Sequence, residues 1–141
     1  MMDIAAIMAA APVIPVLVVD DVAHAQPLAE ALVAGGLPVL EVTLRTPAAL
    51  AVMAEMAKVP GAIVGAGTVL SPADLDAALA AGAQFIVSPG LTERLGQAAI
   101  ASGVPFLPGV ANAGDIMRGL DLGLDRFKFF PTQSLQLFNL I

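Results

Sequence analysis

The sequence predicts an α/β fold, because short apolar runs alternate with segments of helical length along its 141 residues. The runs are continuous and rich in valine, isoleucine, leucine or phenylalanine, which is typical of strands buried on both faces of a parallel sheet. The segments between them are rich in alanine and leucine and predict helices, so strand and helix alternate as in α/β domains. The six predicted strands lie at residues 13–19, 37–42, 62–65, 84–88, 104–107 and 126–130.

Polar residues and glycines between the runs indicate where the predicted helices begin and end. Residues that cap helix N-termini precede the helical segments, and glycines suited to a left-handed C-cap follow them. A further short helix is expected over residues 3–10, ahead of the first strand. The expected starts are Asp20-Asp21, Thr46-Pro47, Ser71-Pro72, Thr92 and Asn112, and the expected ends are Gly35-Gly36, Pro60-Gly61, Gly82, Gly103 and Gly123.

Two arrangements of such units compete, an open doubly wound sheet and a (β/α) TIM barrel. The turn after the first strand, Val19-Asp20-Asp21-Val22, lacks the glycines of a dinucleotide-binding fingerprint, and Gly65-Ala66-Gly67-Thr68 lacks the rest of that pattern. Polar residues instead follow nearly every strand, where barrel enzymes keep their chemistry. We therefore favour a TIM barrel that is incomplete, with about six of its eight βα units.

Composition excludes several classes of function. The net charge of −6 and the absence of a basic stripe argue against a nucleic-acid partner. Without cysteine there are no disulfides or thiolate metal sites, and a single histidine, His24, excludes a His-rich metal site. The apolar stretch over residues 4–19 contains two prolines and is too short to span a membrane. The acidic start is unlike a secretory signal, so a cytoplasmic protein without a membrane partner is expected.

Glu41 is a candidate catalytic residue because it interrupts a predicted buried strand. With a side-chain period of two, Val39, Glu41 and Thr43 share one face of that strand. A carboxylate in apolar surroundings is costly unless it is paired or functional. The alternative to catalysis is an ion pair with Arg45 or another neighbouring base.

Lys128 poses the same question more sharply. It lies between Phe127 and Phe129 in the last predicted strand and faces the opposite side of the sheet from them. Burial disfavours the ammonium form of a lysine and frees an amine that attacks carbonyl groups to give a Schiff base. The alternative is a lysine that reaches solvent from an edge strand. We favour the catalytic interpretation.

Two further residues are candidates for binding a substrate. Arg45 follows the Glu41 strand, and its guanidinium suits a carboxylate, although a surface or helix-capping role would also account for it. Thr68 follows Gly65-Ala66-Gly67, where missing side chains let a ligand approach the backbone, unless the turn is merely tight.

Four segments in this order resemble the bacterial 2-keto-3-deoxy-6-phosphogluconate (KDPG) aldolases, which often also act on 4-hydroxy-2-oxoglutarate. The resemblance spans roughly residues 10 to 131. The segments are Glu41-Val42-Thr43-Leu44-Arg45-Thr46, Val64-Gly65-Ala66-Gly67-Thr68-Val69, Val87-Ser88-Pro89-Gly90 and Phe127-Lys128-Phe129-Phe130-Pro131.

The resemblance implies a class I aldolase of the Entner–Doudoroff pathway on a trimeric (β/α) barrel. It would reversibly cleave KDPG to pyruvate and glyceraldehyde 3-phosphate, with no metal or other cofactor. Lys128 would form the Schiff base with the C2 carbonyl, and Glu41 would be the general acid/base. Arg45 and Thr68 would hold the pyruvyl carboxylate.

The resemblance ends after Pro131. The Ala-Glu and glycine-rich turn of the family is replaced by Thr132-Gln133-Ser134, and the later Gly-Gly-Ile and Gly-Gly-Ser motifs that bind substrate phosphate are absent. We therefore divide the chain into a partial barrel over residues 1–131 and a divergent apolar tail over 132–141. A truncation or frameshift is the simplest interpretation.

Three hypotheses for function follow. The first is the active KDPG aldolase. The second is a catalytically impaired fragment that acts only as an oligomerising scaffold, because unpaired edge strands would expose core side chains. The third is a lysine-dependent aldolase for another 2-keto acid, such as 4-hydroxy-2-oxoglutarate.

Overall fold

A computed structural model describes residues 2–132 of the chain. Within this range the fold is α/β, with six strands in one parallel sheet. The predicted apolar tail over residues 132–141 lies outside the described residues except for Thr132. The strands are β1 (Val16–Leu17), β2 (Val39–Thr43), β3 (Ile63–Gly67), β4 (Ile86–Ser88), β5 (Phe106–Val110) and β6 (Lys128–Phe129).

The strands lie side by side in the order in which they occur in the sequence, β1-β2-β3-β4-β5-β6. Every pairing is parallel, for example Glu41 with Gly65 across β2 and β3, and Gly109 with Lys128 across β5 and β6. A doubly wound sheet would reverse its strand order at a switch point. The order therefore excludes the doubly wound alternative and matches a half-barrel.

The helices are α1 (Ile4–Ala9), α2 (Ala25–Ala34), α3 (Ala49–Met56), α4 (Pro72–Ala80), α5 (Glu93–Ser102) and α6 (Ala113–Asp121), with a 3-10 turn (Val22–His24) ahead of α2. Helix α1 precedes β1, and each of the others connects two consecutive strands, as the alternating pattern predicts.

The predicted capping residues behave as expected in three helices. Ser71, Thr92 and Asn112 each accept a hydrogen bond from the backbone N–H three residues later. Gly103 ends α5 with a left-handed φ of 73°.

One predicted helix start is wrong. The N-cap of α3 is Ala48 instead of Thr46. Thr46 instead donates its Oγ1 to the carbonyl oxygen of Val19 at 2.9 Å, which ties the start of this connection to the segment that follows β1. The predicted end of α2 at Gly35-Gly36 is confirmed, because Gly35 ends the helix and Gly36 has a left-handed φ of 85°.

The sheet separates two apolar layers. The larger layer fills the space between the sheet and the helices and contains Leu40, Val42 and Val64 from its outer face together with Val52 and Met53 of α3. The smaller layer lies on the inner, concave face. It consists of Ile7 from α1 packed on Val39, Phe85, Val87 and Leu107. Helix α1 thus covers the end of the concave face at which the strands begin.

Apolar side chains are exposed at both edges of the described sheet. Val16 of β1 and nearby Val18 are 50% and 52% exposed, and Phe129 of β6 is 45% exposed. Isolated exposed apolar residues are ordinary, but their position on the two edge strands matches the expectation for a sheet that stops short of closure. Within residues 2–132, no helix is long and apolar enough to cross a membrane.

Candidate active site

Lys128 and Glu41 meet on the concave face of the sheet. Lys128 Nζ lies 3.4 Å from Glu41 Oε1, although the two residues are 87 positions apart in the chain. The Glu41 side chain is 6% exposed and that of Lys128 is 25% exposed. The base that pairs with Glu41 is therefore Lys128. Arg45, the other partner considered from the sequence, is the more distant cation.

This contact requires a strongly curved sheet. Four strand spacings separate β2 from β6, so in a flat sheet their backbones would be about 19 Å apart. A glutamate and a lysine side chain together cannot reach across that distance. The sheet must therefore curl around its concave face, which turns two distant strand positions into one site.

The surroundings of Glu41 favour the protonated form of its carboxyl group. Burial raises the pKa of its carboxyl above the ordinary value of 4.5, and the neighbouring charges of Lys128 and Arg45 lower that pKa only in part. A carboxyl group with a raised pKa exchanges protons more readily near neutral pH, which suits a general acid/base.

The raised pKa of Glu41 predicts how stability changes with pH. The protonated form is favoured in the folded state, so its contribution is complete below the unfolded pKa and is lost as pH rises through the folded pKa. Relative to Glu41→Gln, the native chain should therefore lose free energy of unfolding as pH rises from about 4 to 7. Urea unfolding of both proteins across this range measures the difference. If the native chain instead gains free energy of unfolding relative to Glu41→Gln as pH rises, attraction to Lys128 outweighs burial.

The surroundings of Lys128 orient its cation. Its register partner on β5 is Gly109, whose missing side chain makes room for the backbone of Pro89. The ring of Phe130 lies with its centroid 5.2 Å from Nζ, within the range of a cation–π contact. Lys128 is thus directed inward to Glu41 and does not extend away from the sheet into solvent.

Arg45 and Thr68 follow two adjacent strands, β2 and β3. Arg45 is exposed, just beyond β2, and its charge contributes to the pKa of Glu41. Thr68 is half-buried and immediately follows β3, with a left-handed φ of 59° that is uncommon for a residue other than glycine. Both residues therefore follow strands on whose concave face the Glu41 carboxylate lies.

Thr43 had no predicted role in the sequence, and Gly67 was predicted only to let a ligand approach the backbone. Thr43 is fully buried and donates Oγ1 to the carbonyl oxygen of Leu17 at 2.9 Å, which ties β2 to β1 beyond their short ladder. Gly67 lies directly against the Glu41 side chain. Alternation along β2 and β3 places these residues on the concave face, but only the register shows which side chain each one meets.

The described residues show no grouping suited to a metal ion. Among residues 2–132, no three histidine, cysteine, aspartate or glutamate side chains lie together. The chemistry available here is that of an amine and a carboxyl group: the amine can attack a carbonyl carbon, and the carboxyl can donate and accept the protons that this attack requires.

The chain is similar to known proteins over nearly all of its length. The family model for the KDPG and KHG aldolases matches residues 4–138. The 2-dehydro-3-deoxy-phosphogluconate aldolase of Zymomonas mobilis is 63% identical over 135 residues, which are 96% of this chain and 65% of that protein. The KHG/KDPG aldolase of Escherichia coli is 53% identical over 129 residues, 91% of this chain and 61% of that protein.

Solved structures show the same similarity in three dimensions. The KDPG aldolase of Zymomonas mobilis, crystallised with 3-phosphoglycerate, superposes with a TM-score of 0.92 at 61% identity, covering 97% of this chain and 67% of that one. The KDPG aldolase of Legionella pneumophila, with pyruvate captured as a covalent carbinolamine, superposes with a TM-score of 0.89 at 43% identity, covering 98% and 70%. The chain thus spans somewhat less than two thirds of the length of the curated relatives it matches.

Proposed function

The chain belongs to the KDPG and KHG aldolase family, and from this membership we propose that it is a class I aldolase. It would cleave KDPG reversibly to pyruvate and glyceraldehyde 3-phosphate through a Schiff base on Lys128. The observation that carries the proposal is the 3.4 Å contact between Lys128 Nζ and the buried Glu41 carboxyl on the concave face. It supplies a nucleophile and a proton carrier at one point.

The first steps form the imine. The neutral amine of Lys128 attacks C2 of the substrate, and the carbonyl oxygen takes a proton as the carbinolamine forms. Glu41 is close enough to give that proton, to take one back from the positively charged carbinolamine nitrogen, and then to protonate the hydroxyl that leaves as water. The product is a protonated imine between Nζ and C2.

Cleavage uses the imine as an electron sink. A base removes the proton of the C4 hydroxyl, the C3–C4 bond breaks, and its electron pair moves through C3 to the imine nitrogen as an enamine. Glyceraldehyde 3-phosphate leaves. The enamine is then protonated at C3 and hydrolysed to pyruvate, which regenerates the amine. Glu41 is the proposed carrier of these protons, and its raised pKa supports that role.

Arg45 and Thr68 are the proposed holders of the pyruvyl carboxylate. Arg45 offers a guanidinium close enough to influence the Glu41 pKa, and guanidinium groups bind carboxylates through two parallel hydrogen bonds. Thr68 follows the two glycines at the end of β3. A substrate carboxylate held between them would place C2 near Lys128.

The larger assembly is also a proposal. The similarity to the complete Zymomonas mobilis structure supports a (β/α) TIM barrel of which this chain forms about six of eight units. The resemblance further suggests a homotrimer in the cytoplasm, with no nucleic-acid or membrane partner. The alternative is a catalytically impaired fragment that acts only as an oligomerising scaffold. The observation that supports it is the exposure of Val16, Val18 and Phe129 at the sheet edges.

A second substrate is favoured by one observation: the Escherichia coli relative is described as a KHG/KDPG aldolase. We therefore include 4-hydroxy-2-oxoglutarate, which has no phosphate, among the proposed substrates. The Gly-Gly-Ile and Gly-Gly-Ser motifs of the family do not occur in residues 1–141. We propose that residues 1–141 by themselves bind the substrate phosphate weakly.

Pyruvate release, followed with lactate dehydrogenase and NADH, tests the function and this selectivity. We expect both substrates to give pyruvate, with kcat/KM values that agree within about tenfold, which corresponds to roughly 1.4 kcal/mol. The substrate control is 6-phosphogluconate, which lacks the C2 carbonyl and should give none. Release from neither substrate by folded protein would refute the active enzyme, and a strong preference for KDPG would refute the predicted loss of phosphate recognition.

A further inference from the structure

Two glycines on the concave face of β3 each accommodate a neighbouring side chain, one from β2 and one from the residue just before β4. A Cβ built on Gly65 would lie 2.5 Å from ring carbons of Phe85. A Cβ built on Gly67 would overlap Oε1 of Glu41 and would lie 2.7 Å from its Cγ and 2.8 Å from its Cδ. Real Cβ contacts essentially never fall below 3.0 Å, so neither position accepts a side chain unless its neighbour moves.

Space, and not backbone conformation, requires glycine at position 67. The glycines with positive φ in the described residues are at other positions, so an L-residue could adopt the backbone of Gly67. The sequence suggested that these glycines let a ligand approach the backbone. At Gly67 the space is already filled by the side chain of Glu41.

The register explains which glycine receives the carboxyl group. Glu41 pairs with Gly65, and Thr43 pairs with Gly67. Side chains in strands lean along the strand direction, so the end of the Glu41 side chain lies over the next glycine on that face, Gly67. This displacement carries the carboxyl group towards the end of the sheet at which Lys128 lies.

The ion pair alone would hold the carboxyl group loosely. The distance of 3.4 Å between Nζ and Oε1 exceeds the usual range of strong charge-assisted hydrogen bonds. Close packing, in contrast, restricts a side chain to one rotamer because every alternative overlaps its neighbours. The missing side chain of Gly67 leaves the carboxyl group a position that a Cβ atom would close, and the ion pair with Lys128 does not provide that space.

We propose that Gly67 is a positioning residue, whose missing side chain forms a slot that holds the Glu41 carboxyl group against β3 and within reach of Lys128. The catalytic meaning of this slot rests on the proposed aldolase function. The slot itself is a packing relation that can be tested without any turnover.

The decisive test is a pair of double-mutant cycles read by thermal unfolding. Gly67→Ala should lower Tm by on the order of 5 °C, because it overpacks a filled site. In the Glu41→Ala background the atoms that the new methyl group would strike are gone, so the same change should leave Tm nearly unaltered. Gly65→Ala is the matched control on the same strand. It should lower Tm equally in both backgrounds, because its neighbour is Phe85.

The second readout is the titration of Glu41, followed through its carboxyl carbon by NMR in glutamate-labelled protein and assigned with Glu41→Gln. Gly67→Ala should move the carboxyl group into water and lower its pKa, whereas Gly65→Ala should leave the titration unchanged. The charged groups that act on this carboxyl are Lys128 and Arg45, which both variants retain. If Gly67 had only a structural role, the Glu41 titration would be the same in the Gly67→Ala and Gly65→Ala variants.

The activity readout distinguishes this proposal from the proposed function. If the native chain turns over, Gly67→Ala should lower kcat by about 100-fold, the smaller end of general acid/base contributions, with little change in KM. If the native chain does not turn over, the Tm coupling and the titration still decide the role of Gly67.

Additive Tm losses together with an unchanged Glu41 titration would overturn the proposal. Should Gly67→Ala fail to fold, the variant with both Glu41→Ala and Gly67→Ala is expected to fold as Glu41→Ala does. If the double variant does not fold although Glu41→Ala does, the proposal is also overturned.

Discussion

Replacing Lys128 by methionine is expected to abolish covalent capture of pyruvate altogether. Borohydride reduces an imine to a stable secondary amine, so the native chain treated with pyruvate and borohydride should gain one pyruvate-derived adduct on Lys128 by peptide mass spectrometry. Methionine keeps the length and apolar stem of lysine but has no amine. No imine can then form, and turnover should fall at least 10⁴-fold because the covalent route is removed.

The chain contains its own matched control for this experiment. Its other lysine, Lys58, has a side chain that is 61% exposed and is paired with Glu55 on the surface. Lys58→Met should retain the adduct and the turnover of the native chain. Adduct on Lys58, or an unmodified Lys128 in folded native protein, would refute the proposed Schiff base.

The second large effect is expected from Glu41→Gln. Glutamine fills the same slot but cannot give or take a proton, so kcat should fall by about 10²- to 10⁴-fold while KM changes less. Borohydride trapping of pyruvate should slow but persist, because the amine of Lys128 remains. The limb of the kcat pH profile that belongs to Glu41 should disappear, and stopped-flow assays from pH 4 to 8 would record this.

Glu30→Gln is the control for the loss of a carboxylate elsewhere. Glu30 is exposed on α2, so its replacement should leave kcat and the pH profile within experimental error. If Glu41→Gln retains full kcat, proton transfer must use another group. In that case the buried carboxyl would serve only as a counter-ion for Lys128.

The strand and helix elements were predictable because their signals are local. Continuous apolar runs identified all six strands, and polar caps such as Ser71, Thr92 and Asn112 identified where three helices begin. The start of α3 was misplaced because a threonine followed by proline resembles a cap. In the structure, the Thr46 hydroxyl instead donates to the carbonyl oxygen of Val19, two residues after β1.

The site was only partly predictable, because it depends on register and curvature. Period-two alternation placed Glu41 and Lys128 on single faces of their strands, but nothing local shows that β2 and β6 curve towards each other. The role of Gly67 was inaccessible for the same reason. A glycine in a strand indicates close approach by something, and only the paired register shows that the approaching group is Glu41.

The sequential strand order also has a consequence for how the site assembles. Each strand pairs with its neighbour in sequence, so each joining step closes the loop of a single strand-helix unit. Glu41 and Lys128, in contrast, are 87 residues apart. Once the intervening strands have paired, the entropy of closing that long loop has already been lost in small increments. The contact between Lys128 and Glu41 therefore forms last, after the neighbouring strands have paired. Any change that flattens the sheet would separate the Lys128 amine from the Glu41 carboxyl group while leaving both side chains intact.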